Sequence, residues 1–281
     1  GLIAITNAIK DYSNNDLHIN LSIQFLRDEE EKRALQRLDI LKGAYKNETA
    51  HLITCGPSLT NHDKEELKDK LKDKLVICCK QAQKYLGDIA DFHLISAYNY
   101  QSYDYPNKDT IVWWQITKCS VDNELDKICN DWRHPLDVWI PVVSGPWIDL
   151  NGTVAYTRNF DLWKRLSTDT EVTWGPGIMY ESAFPLALHL GCKNITTVGW
   201  DIGDVSKYNG NFHDTNWFEQ HATALYDMKM ETGPDVDELT ETINCTKEMY
   251  DWFKKEGVTV RLLSDTNPAD KRFERIELCQ L

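Results

Sequence analysis

Residues 174–204 read WGPGIMYESAFPLALHLGCKNITTVGWDIGD. This stretch predicts a glycine elbow, a buried helix, a turn and a buried strand. Gly175 and Gly177 flank Pro176, so the backbone there is free to take positive φ and to approach a ligand closely. From Ile178 to Leu190 the apolar residues Ile178, Met179, Ala183, Leu186, Ala187 and Leu190 recur at helical spacing. Pro185 lies inside that helix and is expected to kink it or to loosen one turn. Gly191 ends it. Asn194 to Val198 (NITTV) is short, β-branched and almost uncharged, as a strand covered on both faces must be. Gly199-Trp200-Asp201 follows directly. Ligands of open α/β sheets bind at the carboxyl ends of strands, which puts Asp201 where a ligand would sit.

The same alternation runs through the rest of the chain. Residues 21–43 form a charged amphipathic pattern, a helix. His51–Cys55 reads as a strand, followed by Gly56-Pro57-Ser58-Leu59 and a polar helix over Asp63–Lys72. Leu75–Cys79, Phe92–Ala97 and Thr110–Ile116 read as further strands. Residues 118–172 hold several tryptophans and turn signals with little periodicity. They are expected to form an insertion or lid, with Asp137–Val143 as a strand within it. Val205–Asn216 is a polar loop, Asn216–Lys229 a helix, and Val236–Lys255 a long helix started by Gly233-Pro234-Asp235. Val258–Leu263 is the last strand. Strands alternating with helices predict a single α/β domain over residues 1–281, with a mostly parallel sheet and helices on both faces.

Composition narrows the function. The 281 residues are 42% hydrophobic and 27% charged, an ordinary globular balance. A net charge of −13 opposes non-specific binding to nucleic acid or to anionic membranes. No apolar run reaches the roughly 18 to 20 residues of a membrane span, and no leader pattern opens the sequence. The eight cysteines form no CxxC pair, so buried reduced thiols and a cytoplasmic location are expected. Four N-x-S/T sequons occur, at Asn47, Asn151, Asn194 and Asn244. The one at Asn194 opens a buried strand, which argues against secretory glycosylation.

Two elbows carry the chemistry. Gly56-Pro57-Ser58 joins a strand to a helix, and Gly175-Pro176-Gly177 opens the central helix. Backbone N–H groups at helix starts attract phosphate. Neither G-x-G-x-x-G after a strand nor G-x-x-x-x-G-K-[ST] is present, so ordinary dinucleotide and P-loop sites are not expected. Asp235-Val236-Asp237 has the D-x-D form of metal-dependent glycosyltransferases, but it starts a helix and reads as a cap. Histidines and cysteines never cluster at zinc spacing.

Taken in order, HLITCGPSL (51–59), LVICCKQAQKYLGD (75–88), FHLISAYN (92–99) and GPGIMYESAFPLALHLGCKNITTVGWD (175–201) resemble the bacterial sialyltransferases of glycosyltransferase family 42. The resemblance spans about two thirds of the chain. It implies a modified Rossmann-like fold, a CMP-sugar donor, a glycan or glycolipid hydroxyl as acceptor, and no metal or other cofactor. It implies that Gly56, Pro57 and Ser58 line the nucleotide phosphate, with Gly175 in the second elbow. By the same resemblance Asn99 and Gly177 hold ribose or base and Tyr208 reaches the leaving phosphate. Lys80 stands where the family usually has asparagine and joins the donor-binding set. Pro176 replaces the family's serine before Gly177.

The family's histidine base falls near Thr242, where this chain has none. The base is therefore sought among His213, Asp214, His221 and Asp201. His213 leads, because it lies in a polar loop beside Asp214, which can fix its tautomer. His93 and His189 read as hydrogen-bonded core residues. The archaeal-type hydroxymethylpterin pyrophosphokinases look like relatives of this fold and also carry G-P-S-L. That alternative implies ATP and Mg²⁺, with Asp201 and Asp204 as metal ligands. A nucleotide-binding module without catalysis is the third reading. Self-association into a homo-oligomer is left open. Gly56→Val is expected to abolish nucleotide binding in a protein that still folds.

Overall fold

The computed structural model describes residue 32 and residues 36–96, 103, 105–117, 138–142, 160–164, 178–201, 238–264 and 267–281. Its strands are β1 (Thr49–Ile53), β2 (Leu75–Cys79), β3 (Phe92–Ser96), β4 (Ile111–Thr117), β5 (Val138–Val142), β6 (Asn194–Val198), β7 (Thr259–Leu263) and β8 (Glu274–Arg275). They form one eight-stranded sheet in the order β5-β4-β3-β2-β1-β6-β7-β8. Every pairing is parallel.

From β1, in the middle of the sheet, the chain walks outward to β5, then returns to lay β6 against the other side of β1. Successive connections thus leave β1 in opposite directions. That places a topological switch point between β1 and β6, where the carboxyl ends of an open sheet leave a crevice. The registers Ile53↔Cys78 and Ile53↔Val198 bring β1, β2 and β6 to a common level there.

Strand residues alternate between two cores with period two. Ala50, Leu52, Leu75, Ile77, Ile195, Val260 and Leu262 face one core, which α3 (Phe184–His189) and α4 (Glu238–Lys255) cover with Phe184, Leu186, Met249 and Phe253. Ile53, Val76, Cys78, Val198 and Leu263 face the other, covered by Leu67 and Leu71 of α1 (Lys64–Leu71) and Leu86 of α2 (Gln83–Leu86). The helices therefore pack on both faces, as the near-continuous apolar strands require.

The expected strands form within two residues of their predicted bounds. The two-residue β8 and the four-residue α2 carry too short a pattern to be predicted. The central helix departs from regularity where Pro185 foretells it. Residues Met179–Ala183 make a π-helical turn and regular α-helix resumes at Phe184. A proline at 185 has no N–H for the Glu181 carbonyl and its ring crowds that carbonyl, so the turn before it widens. The widened turn is closed by Phe184 N–H donating to Met179 C=O. At the other end Gly191 takes φ +88° and Cys192 N–H reaches back to Ala187 C=O at 3.0 Å, a glycine-ended cap.

Within the stretch expected as a lid, Val138–Val142 is the edge strand β5. Phe160 and Trp163, in the short 3₁₀ helix Phe160–Lys164, are core residues at 3% and 1% exposure. The remainder of 118–172 lies outside the described residues. Cys55, Cys78, Cys79, Cys192 and Cys245 are buried and Cys279 is exposed, and none of these six is in a disulfide. No helix among the described residues is long and apolar enough to cross a membrane.

Candidate functional site

The loops that leave β1 and β6 are stitched together past the ends of the strands. Thr54 N–H donates to Val198 C=O at 2.8 Å and Gly56 N–H to Gly199 C=O at 2.9 Å. Thr54 Oγ1–H adds a bond to Val198 C=O at 3.2 Å. A Cβ at Gly56 would lie 2.2 Å from Gly199 O and 2.6 Å from Asp201 Oδ2, and one at Gly199 would lie 2.6 Å from Thr54 O. Both positions are glycine because two backbones approach each other. This corrects the expectation for Gly56. Its missing side chain is demanded by the neighbouring loop of the same chain, so Gly56→Val would not leave the elbow folded as it is.

Beyond the stitch, Gly56 begins the 3₁₀ helix Pro57–Asn61. Proline is tolerated at its first position because that N–H has no helical partner. Gly56 offers no side chain to cap the helix. Asp201 caps it from the other half of the chain: its Oδ2 accepts from Ser58 N–H and its Oδ1 from Ser58 Oγ–H, both at 2.6 Å. A carboxylate belongs at a helix N-terminus, where N–H groups and the helix dipole favour negative charge. The consequence for binding is direct. The Ser58 N–H expected to cradle phosphate already holds an anion, and that anion is Asp201.

Asp201 is accordingly tied to Ser58 through both oxygens and half-buried. In this arrangement it shapes the elbow, and it keeps free lone pairs for a hydroxyl of a ligand. Trp200 anchors the same loop from below. It is 6% exposed, with ring centroids 5.5 Å from Phe184 and 6.1 Å from Tyr180.

Lys80 follows β2 directly, opening the 3₁₀ turn Lys80–Ala82, and takes φ +52°, a left-handed conformation uncommon for a residue with a side chain. The strain is buttressed. His93 Nε2–H donates to Lys80 C=O at 2.7 Å, and His93 Nδ1 accepts from Tyr105 O–H at 2.8 Å. The carbonyl can only accept, so the tautomer with the proton on Nε2 is required. Burial pushes His93 down to about 3, which keeps it neutral. Cys55 Sγ–H donates to Cys79 C=O at 3.1 Å and burial pushes its thiol up to about 11. It is an inert packing residue.

His93 is a hydrogen-bonded core residue as expected; His189 is hydrogen-bonded, its Nε2–H donating to Leu38 C=O at 2.6 Å, but only half-buried. One histidine of the elbow was missed. His62 closes the 3₁₀ helix four residues after Ser58 and is half-buried. Burial holds its imidazole below the ordinary histidine value, while Glu66 and Asp201 pull the other way. Asking which histidine follows an elbow within one turn would have found it. Among the described residues no group of three or more His, Cys, Asp or Glu could hold a metal ion. His213, Asn99, Gly175, Gly177, Tyr208, His221, Asp204, Asp214 and Asp235–Asp237 lie outside the described residues. The structure thus brings together Gly56, Ser58 and Asp201, with the Lys80 backbone beside them.

No family model matches the chain. No curated protein matches it. Among solved structures it is similar to the MAf glycosyltransferase from Magnetospirillum magneticum AMB-1, with 13% identity and a TM-score of 0.47. That likeness covers 95% of this chain and 43% of the other. The chain therefore spans less than half the length of the protein it is similar to. The α/β class is seen in the eight-stranded parallel sheet itself.

Proposed function

We propose that this chain is a glycosyltransferase that moves a sugar from a nucleotide-sugar donor, a CMP-sugar, to a hydroxyl acceptor without a metal ion, in a reducing compartment such as the cytoplasm. The observation that carries the reading is the elbow at the β1/β6 switch point, with Ser58 and Asp201 joined across it. Open α/β sheets bind nucleotides at that crevice. The order of the four sequence blocks supports a sugar-nucleotide in particular. In the transfer, the acceptor oxygen loses its proton to a base and bonds to the anomeric carbon. The bond from that carbon to the donor phosphate breaks, and its electron pair leaves with the phosphate.

His213 and His62 are the two bases to separate. A positioned base contributes roughly 10² to 10⁴-fold in rate. His213→Ala is expected to lower kcat by about a hundredfold at unchanged donor affinity. Should His62→Ala show that loss instead, the elbow histidine holds the role.

A second reading is favoured by Asp201 itself, a carboxylate at a strand end. An ATP- and Mg²⁺-dependent pyrophosphokinase would use it with Asp204 as a metal ligand. A thermal-shift screen with CMP, UDP, GDP and ATP, each with and without Mg²⁺, followed by turnover in EDTA, separates the readings. Stabilisation by CMP and turnover that persists in EDTA are the expected results. Stabilisation by ATP only with Mg²⁺ moves the assignment to the pyrophosphokinase. Nucleotide binding without turnover of any donor leaves a binding module.

A further inference from the structure

The loop that carries Asp201 is held from a third direction, by the C-terminal arm. Asn267 is 5% exposed and lies after β7. Its Oδ1 accepts from Ala269 N–H at 2.8 Å, which fixes the orientation of the amide. Its Nδ2–H then donates to Trp200 C=O, one residue before Asp201. The turn around Asn267 is in turn clamped by Arg275. That guanidinium donates to the carbonyls of Asn267 (3.0 Å), Ala269 (2.6 Å), Asp270 (2.8 Å) and Phe273 (2.7 Å). Thr246 Oγ1 on α4 accepts from Asp270 N–H at 2.9 Å and ties the turn to the core. Arg275 itself lies in β8 opposite Leu262 of β7, and just beyond it Ile276 N–H donates to Leu262 C=O at 2.9 Å.

These bonds form an unbroken path from the sheet edge at β8, through Arg275 and Asn267, to Trp200, Asp201 and Ser58. The amide of Asn267 is a natural last link. It is buried, its acceptor is occupied, and its donor meets the Trp200 carbonyl just past the end of β6. A peptide fixed at its carbonyl aims the next residue's side chain, and here that side chain is the Asp201 carboxylate.

We infer that Asn267 is a positioning residue of the switch-point site, and that through the Trp200 carbonyl it sets the Asp201 carboxylate that caps the elbow at Ser58. The inference rests on the reading of that crevice as the nucleotide site. Its first test needs no ligand. Asn267→Asp keeps the acceptor for Ala269 and replaces the donor to Trp200 with an oxygen, at unchanged size. Asn267→Ser removes the donor with less electrostatic change and serves if the aspartate variant does not fold. Arg272→Gln is the control, since Arg272 belongs to the same arm but makes exposed contacts with Asp251 and Asp270.

Amide hydrogen exchange at Gly56, Ser58 and Leu59 is the readout. Hydrogen bonds to a charged group that are loosened give a faster opening, by about tenfold at Ser58. The expected result is faster exchange there in the Asn267 variant and none in Arg272→Gln. A purely local role confines the change to residues 262–276 and overturns the inference. The second test is a double-mutant cycle of Asn267→Asp with Asp201→Asn, read on the Kd for CMP. Non-additive effects are expected, because both changes act on one carboxylate; additive effects overturn the inference. If elbow exchange responds while CMP does not bind the unmutated protein, the coupling stands and the CMP-sugar reading falls.

Discussion

At the scale of single residues, Gly56 shows how a motif can be right for a reason other than the one assigned to it. In a G-P-S-L run after a strand, glycine suggests room for a phosphate. The structure fills that room with Gly199 O and the Asp201 carboxylate, 2.2 Å and 2.6 Å from where a Cβ would be. Backbone cannot withdraw as a flexible side chain can. Gly56→Ala is therefore expected to destabilise the fold by about 1 to 3 kcal/mol, the usual range for overpacking. Urea denaturation followed by circular dichroism measures it. A midpoint equal to that of the unmutated protein would show that the two loops are not stitched as described. Lys80 teaches the converse. Nothing in its side chain announces φ +52°, and its strain is seen only with His93 and Tyr105 in place.

At the scale of elements, two strands carry histidines where apolar residues would ordinarily be. His51 on β1 is 3% exposed and its Nδ1 has no hydrogen-bond partner among the described residues. Burial, with smaller contributions from Lys74 and Arg261, lowers it to about 4. His93 on β3 is fully buried and lowered to about 3. The native state thus binds fewer protons than the unfolded state wherever unfolded histidine is charged. Stability from both residues is present above the unfolded value near 6.5 and is lost as pH falls from there toward 3 to 4. The slope approaches about 1.4 kcal/mol per pH unit for each fully buried group. Thermal midpoints measured from pH 7 to pH 5 should fall, and His51→Leu should flatten the fall. An unchanged slope in that variant would remove His51 from the account. The π turn at Met179–Ala183 belongs to this scale as well, since Pro185 foretells its place from sequence alone.

At the scale of the whole molecule, the site exists because two distant parts of the chain meet. Ser58 and Asp201 are 143 residues apart and share two hydrogen bonds. Each replaced alone leaves a partner unpaired. Asp201→Ala strips the cap from the elbow helix and is expected to cost about 0.5 to 2 kcal/mol. Ser58→Ala in the same protein should then cost little more, because the interaction is already gone. The four stabilities from urea titration give the coupling energy directly. Additivity within about 0.3 kcal/mol would mean that the two residues do not act on each other.

Periodicity and punctuation were enough for the α/β class, for most strands and helices, and for the two loops that meet at the site. These follow from local physics: β-branched runs, apolar spacing, and glycine or proline at the ends. Asp201 was placed at a strand end correctly, because NITTV followed by Gly-Trp-Asp is readable without any partner. Which loop Asp201 would cap was not readable, since helix capping is ordinarily looked for within four residues and here it crosses the sheet. The strand order, the demand for glycine at Gly56, the left-handed turn at Lys80 and the Asn267 strap likewise needed the tertiary structure. Each is set by an atom that a distant part of the chain delivers, and a linear sequence carries no record of that distance.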